Sequence, residues 1–168
     1  GCYEMDDAGI TRMGRQVIKE MNRVGLVVDM SHSANRSTLE AIEISERPIA
    51  ITHANPSNWC DALRNKSDDV LKSLAESGGM LGFSMYPHHL KDKSDCQLDD
   101  FCFMIARTAE MIGVENGAEY FQLDVRETQD QAIQLYKSKG YKHWGTNPSY
   151  AQVGAKTIKG LYFSKKIK

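Results

Sequence analysis

No cysteine pair in this chain has metal-binding or redox spacing. Cys2, Cys60, Cys96 and Cys102 form no CxxC motif, and no histidine stands at zinc-finger distance from them. They read as free thiols of a reducing compartment, so the expected location is the cytoplasm. No apolar run approaches the ~18 residues that a membrane helix needs, so no membrane partner is expected. No signal peptide is read either, and the chain opens Gly1-Cys2-Tyr3 without an initiator Met, as a fragment or a processed chain would. Repeats and low-complexity tracts are absent. The acids Asp92, Asp95, Asp99 and Asp100 lack the spacing and glycine of an EF-hand loop, so they read as a solvated loop and helix start. At 168 residues the chain is also short of the about 250 that a complete (β/α)₈ barrel needs. It is long enough for an ordinary domain with a real core.

Net charge is only −1, but it is unevenly spread. Residues 1–118 carry 12 Lys and Arg against 18 Asp and Glu, whereas residues 119–168 carry 9 against 4. The lysines of the second part are dispersed along helix and strand positions, so no nucleic-acid partner is expected. A solvated basic face, or a contact with an anionic ligand such as a coenzyme phosphate, fits this pattern.

What is present is an alternation of helix and strand. Residues 11–24 put Met13, Val17, Ile18, Met21 and Val24 on one helical face, with Thr11 to cap and Gly25 to stop. Leu26 to Met30 is a buried strand. Ser37 with Glu40 reads as a capping box opening a helix to about Ser45. Ile49 to Thr52 is a second strand, followed by a polar loop from Asn55 to Lys66. Ser67, Asp68 and Asp69 begin a third helix, which Gly78-Gly79 ends. Met80 to Met85 is a third strand, and residues 98–112 are a helix. From Tyr120 the pattern changes. A strand to Val125 is followed by a helix that Thr128 and Gln131 cap, then by two strands, Tyr141 to Gly145 and Thr157 to Ser164, with no helix between them.

His32 and His53 end adjacent predicted strands, so both rings are expected at one mouth, where neutral imidazoles could share a zinc. Ser31 and Thr52 stand ready to orient the rings, and Arg64 on the long loop could hold a carboxylate bidentately. Without a ligand, the same histidines are a partly exposed polar pair. A zinc site needs about three or four ligands, so two do not complete one. His88 and His89 read as a polar loop rather than as further ligands.

The segments Val28-Asp29-Met30-Ser31-His32, Thr52-His53-Ala54-Asn55, Arg64-Asn65-Lys66-Ser67-Asp68 and Tyr86-Pro87 are similar to those of the renal-type membrane dipeptidases. The resemblance extends over residues 8–114. That family, M19, comprises zinc peptidases with a TIM-barrel fold. The resemblance implies that His32 and His53 are ligands of one zinc of a binuclear pair. It also implies that Arg64 grips the C-terminal carboxylate of a small peptide substrate and that Tyr86 lies near that substrate. The family's first-strand His-x-Asp, its bridging Glu and its late Gly-Ser-Asp acid have no counterpart. The first two are expected N-terminal of Gly1, and the last where the match stops. Without a bridging carboxylate a hydroxide nucleophile has no second metal to lower its pKa, so dipeptide hydrolysis is expected to be impaired or to need another chain.

Residues 120–166, through Leu123-Asp124-Val125-Arg126-Glu127, Leu135-Tyr136, Gly140-Tyr141 and Leu161-Tyr162-Phe163, resemble the C-terminal part of the GNAT acetyltransferases. That resemblance implies acetyl-coenzyme A as cofactor and Tyr136 as proton donor to the departing thiolate. The family's Gln/Arg-x-x-Gly-x-Gly/Ala pyrophosphate loop is missing, and Tyr136 also reads as a core aromatic on a helix face.

The expected fold is therefore α/β. Residues 1–117 form three βα units of a partial TIM barrel, and residues 118–168 a β-α-β-β GNAT-like segment. Strand order admits one open, mostly parallel sheet to which Tyr120 to Val125 adds, with open edges through which copies could pair into a homo-oligomer. Three functions follow: an impaired zinc metallodipeptidase-like chain, an N-acetyltransferase fragment, or a chimeric or truncated domain without catalysis.

Overall fold

The computed structural model describes residues 1–167 and shows a mixed α/β chain. Two compact units form, Gly1–Thr108 and Ala109–Lys168.

In the first unit, helix α1 (Arg12–Val24) begins where Thr11 Oγ1 accepts the Gly14 N–H and ends at Gly25, whose φ of 81° suits a residue without Cβ. Helix α2 (Asn35–Ile44) starts before the expected capping box, with Ala34 as its N-cap. Its cap comes from outside. Asp7 accepts the N–H groups of Arg36 (2.6 Å) and Ser37 (3.2 Å) and the Ser37 hydroxyl (2.7 Å). Glu40 does not reach back to Ser37 either. It accepts the Ile10 N–H at 2.8 Å and pairs with Arg15 and Arg36, each at 3.0 Å. A carboxylate at the positive end of a helix outbids a neutral hydroxyl, which explains the departure from the local motif.

Strand β1 (Ala50–Ile51) and strand β2 (Met80–Leu81) pair in parallel, with helix α3 (Asp68–Glu76) between them in sequence. On the other side of β1, the Ala50 N–H donates to Val28 O and the Met30 N–H to Ala50 O, both at 2.9 Å. Three neighbouring parallel segments result, as the alternation of sequence predicts. They are shorter than expected. Leu26 and Val27 lie exposed, and only the Asp29 position forms a bridge to β1. The core beneath is built from Ile18, Val28, Met30, Ala41, Ile49, Ile51, Ala54, Val70 and Leu74. No closed barrel forms among the described residues.

Helix α4 (Leu98–Glu115) is followed by the second unit's strands and helix: β3 (Tyr120–Arg126), α5 (Asp130–Ser138), β4 (Lys142–Val153) and β5 (Lys156–Lys166). The order in the sheet is β3-β5-β4, antiparallel throughout. This corrects the expectation of one open, mostly parallel sheet. β3 takes its seven partners from β5, running from Tyr120 opposite Lys166 to Arg126 opposite Gly160, whereas β1 and β2 are two residues long. The longer antiparallel ladder satisfies far more backbone. Helix α5 opens at Gln129, not at a Thr128–Gln131 capping box, and has no side-chain cap. Val125, Tyr141 and Phe163 form this unit's own core, with Phe121, Leu123, Ala132, Ile133, Tyr136 and Leu161 packed against it.

Candidate metal centre and carboxylate pocket

His32 follows the Asp29 bridge and His53 follows β1, so two adjacent parallel segments deliver their rings to one end of the small sheet. The Nε2 atoms face each other at 3.1 Å, and the rings lie edge to face. Two nitrogens on one tetrahedral zinc lie roughly 3.3 Å apart, given Zn–N bonds of about 2.0–2.1 Å. The pair thus fits two positions around one ion.

Asp29 organises this pair. Its carboxylate accepts the Ser31 hydroxyl (2.5 Å) and N–H (3.0 Å) and the Thr52 hydroxyl (2.7 Å). Burial pushes the Asp29 carboxyl up, but these hydrogen bonds outweigh it and hold the pKa at about 2. An ionised carboxylate only accepts, so Thr52 spends its one proton on Asp29. Thr52 Oγ1 can then only accept from His53 Nδ1, 2.8 Å away. That fixes the His53 proton on Nδ1 and leaves the Nε2 lone pair facing His32, the tautomer a metal ligand needs. Burial, then the charge of Arg64 and the neighbouring His53, lower the pKa of His32 and favour its neutral form as well.

Of the expected orienting residues, Thr52 touches a ring. Ser31 acts one step removed, through Asp29 and through the Thr52 N–H, which it accepts at 2.8 Å. A complete metal centre needs more donors. Among the described residues no group of three or more His, Cys, Asp or Glu could hold a metal. The described residues supply two nitrogen donors, with the His53 ring oriented by Thr52 and Asp29.

A cavity of about 260 Å³ is lined by Tyr3, Leu63, Arg64, Tyr86, His88 and His89, among others. It brings together the two residues expected to meet a substrate. Arg64 is half-buried, and its Nε and Nη2 are buried without a hydrogen-bond partner. Tyr86 is exposed at the rim and stands edge-on to the His89 ring, centroids 5.0 Å apart. His89 is not part of a solvated loop as its sequence context suggests. It ends a short 3₁₀ turn, Pro87–His89, is 2% exposed, and holds Ser84 Oγ with Nδ1 at 2.8 Å.

Two buried asparagines fix this corner. Asn55 donates to Ser84 O (2.9 Å) and His89 O (3.0 Å) and accepts the Ser84 N–H (2.9 Å). Asn65 accepts the Asn55 N–H (3.0 Å) and donates to Cys60 O (2.8 Å) and His89 O (3.0 Å). These amides lock the residues next to His53 and Arg64 to the segment that carries Tyr86 and His89. Lys66 adds a further tie. Its side chain is fully buried and its Nζ donates to Ser33 O, beside His32. Burial lowers its pKa to about 8.

Asp29, Asn55, Asn65, Lys66 and His89 escaped the sequence reading as site residues. Asp29 had a visible signal, a lone carboxylate inside an apolar run. The others become meaningful only through contacts across more than ten residues of sequence. Tyr136, on α5, is half-buried against the second core, its ring 6.0 Å from that of Tyr141. Among the described residues no helix is long and apolar enough to cross a membrane.

The model of the membrane dipeptidase family, peptidase family M19, matches residues 2–118. Dipeptidase 3 of Mus musculus is 35% identical over 74 residues, 44% of this chain and 15% of that protein. An uncharacterized dipeptidase of Schizosaccharomyces pombe is 31% identical over 114 residues, covering 67% of this chain and 27% of that protein. Among solved structures, an amidohydrolase from Pseudomonas aeruginosa is similar at 38% identity and TM-score 0.64, over 67% of this chain and 34% of that one. A metallo peptidase from Rhodobacter sphaeroides, solved with a phosphinate mimic of the dipeptide L-Ala-D-Ala, is 25% identical at TM-score 0.59, over 62% and 31%. An N-acetyltransferase from Staphylococcus aureus Mu50 aligns at TM-score 0.40 and 14% identity, a likeness too low to carry a function. The chain spans well under half the length of these dipeptidase relatives. With the family model covering most of its residues and the paired histidines set at neighbouring strand ends, this chain belongs to the membrane dipeptidase family M19.

Proposed function

We propose that this chain carries part of a zinc metallodipeptidase site. His32 and His53 hold one zinc, Arg64 receives the C-terminal carboxylate of a small peptide, and Tyr86 packs beside it. The single observation behind this reading is the 3.1 Å convergence of two Nε2 atoms, with the His53 tautomer set by Thr52 and Asp29. Bound zinc would supply Lewis acidity and a water of lowered pKa. The residues of this chain orient the rings, keep Nε2 unprotonated and offer a guanidinium to a carboxylate. Hydrolysis by these residues alone is impaired, because the His-x-Asp, bridging Glu and late Asp expected from the family resemblance have no counterpart among them.

Zinc content of the purified chain, measured beside His53→Ala, tests the reading. One equivalent bound by the parent and lost in the variant supports it. No zinc in either overturns it, and then calorimetry with acetyl-coenzyme A tests the acyltransferase reading with Tyr136 as proton donor. Failure of both leaves a folded domain without catalysis.

Four free cysteines suit a reducing, cytoplasmic setting. Neither nucleic acid nor membrane enters this reading. The open edges of β3 and β4 are where copies of the chain would pair.

A further inference from the structure

The cavity at Arg64 contains more hydrogen-bonding capacity than one guanidinium. We infer that His89 is a second donor to the carboxylate received by Arg64, acting through its Nε2–H. This rests on the proposed role of Arg64 and extends it to a residue that sequence spacing assigns to a loop.

Three observations carry the inference. First, His89 is almost fully buried yet its Nε2 has no partner, the same condition as Nε and Nη2 of Arg64, and both residues line one cavity. A buried polar atom calls for a partner, and a ligand oxygen that accepts from Nε2 supplies one. Second, one tautomer pairs the Ser84 hydroxyl fully. Ser84 Oγ accepts the Tyr86 N–H at 3.2 Å and lies 2.8 Å from His89 Nδ1, which can take its proton. In that tautomer Nδ1 accepts, and the proton of neutral His89 sits on Nε2 as a donor. Burial, with the charge of Arg64, lowers the pKa of His89 and keeps the ring neutral. Third, the ring is held in place. Its backbone carbonyl accepts from both Asn55 and Asn65, and Tyr86 flanks its face, so the donor is positioned before any ligand arrives.

Carboxylates are the chemical class this set takes: a planar anion between a guanidinium fork and a neutral N–H. The test uses the full chain with chelator present, so that no metal contributes. N-acetylalanine is titrated by calorimetry, with N-acetylalaninamide as the uncharged control. The expected result is binding of the acid and not the amide, weakened about tenfold in His89→Leu, since a hydrogen bond to a charged group is worth at least that factor. His89→Gln, which keeps an N–H near the Nε2 position, should bind within about threefold of the parent, a rescue that a merely structural role would not give.

Undiminished binding in a folded His89→Leu overturns the inference, as does equal binding of acid and amide or none by the parent. Loss in Arg64→Gln with none in His89→Leu overturns only the assignment of His89 and leaves Arg64 as the carboxylate residue. Absence of zinc at His32 and His53, with acid binding intact, overturns the metal reading and leaves His89 in place. If the His89 variants do not fold, ring ¹⁵N resonances of the parent decide. A His89 Nε2 shift with the acid and not with the amide supports the inference, and none overturns it.

Discussion

In the first unit the fold shifts the ionisation of Asp29 and Lys66 with opposite consequences. The Asp29 carboxyl is depressed from 3.8 to about 2, so its ionised form contributes stability above the unfolded value, and that contribution is lost as pH falls towards 2. Urea unfolding of Asp29→Asn and the parent should therefore show a stability gap at neutral pH that closes between 3.8 and about 2. Lys66 runs the opposite way. Its pKa falls from 10.5 to about 8 through burial, so the folded state disfavours the charge at neutral pH. Between about 8 and 10.5 the unfolded chain holds the extra proton, and stability rises with pH. In Lys66→Met that rise should vanish, which the same unfolding series across alkaline pH would read.

At the scale of elements, the strand ends decide where the histidines point. Gly82 lies so close to β1 that an added Cβ would meet Thr52 O at 2.1 Å, and its N–H donates to Ile51 O at 2.7 Å. Gly82→Ala should push the His53 strand end away, cost about 1–3 kcal/mol, and weaken zinc binding together with stability. Chemical unfolding and zinc titration of the variant check both. The helices followed sequence rules unevenly. α1 begins and ends where Thr11 and Gly25 indicate, because its caps are local. α2 takes its cap from Asp7, some thirty residues away, which no local motif reveals.

At the scale of the whole molecule, two units with separate hydrophobic clusters and separate sheets share one chain. Each has its own reason to unfold, so a two-state description should fail. Calorimetry is expected to resolve two transitions, with Leu74→Ala lowering one and Phe163→Ala the other. Both side chains are about fully buried, and each truncation should cost about 2–5 kcal/mol in its own unit. A single transition shifted by both variants would show that the units unfold together. The second unit also carries a partly buried ion pair, Lys165 to Glu110 at 2.6 Å, beside Tyr141, whose hydroxyl is pushed up to about 12 by burial and by Glu110.

The sequence by itself determined the alternation of helix and strand and the meeting of His32 with His53. These rest on short-range periodicity and on the fact that adjacent parallel strands end at the same edge. Tertiary structure alone decided the rest. Asp29 became an organiser only when Thr52 was laid beside it. Asn55 and Asn65 became a clamp only when the Ser84 to His89 segment folded over them, and β3 took β5 as its partner in a separate antiparallel sheet. Hydrogen bonds between residues far apart in the chain leave no periodic trace in it, since their partners are chosen by folding and not by spacing.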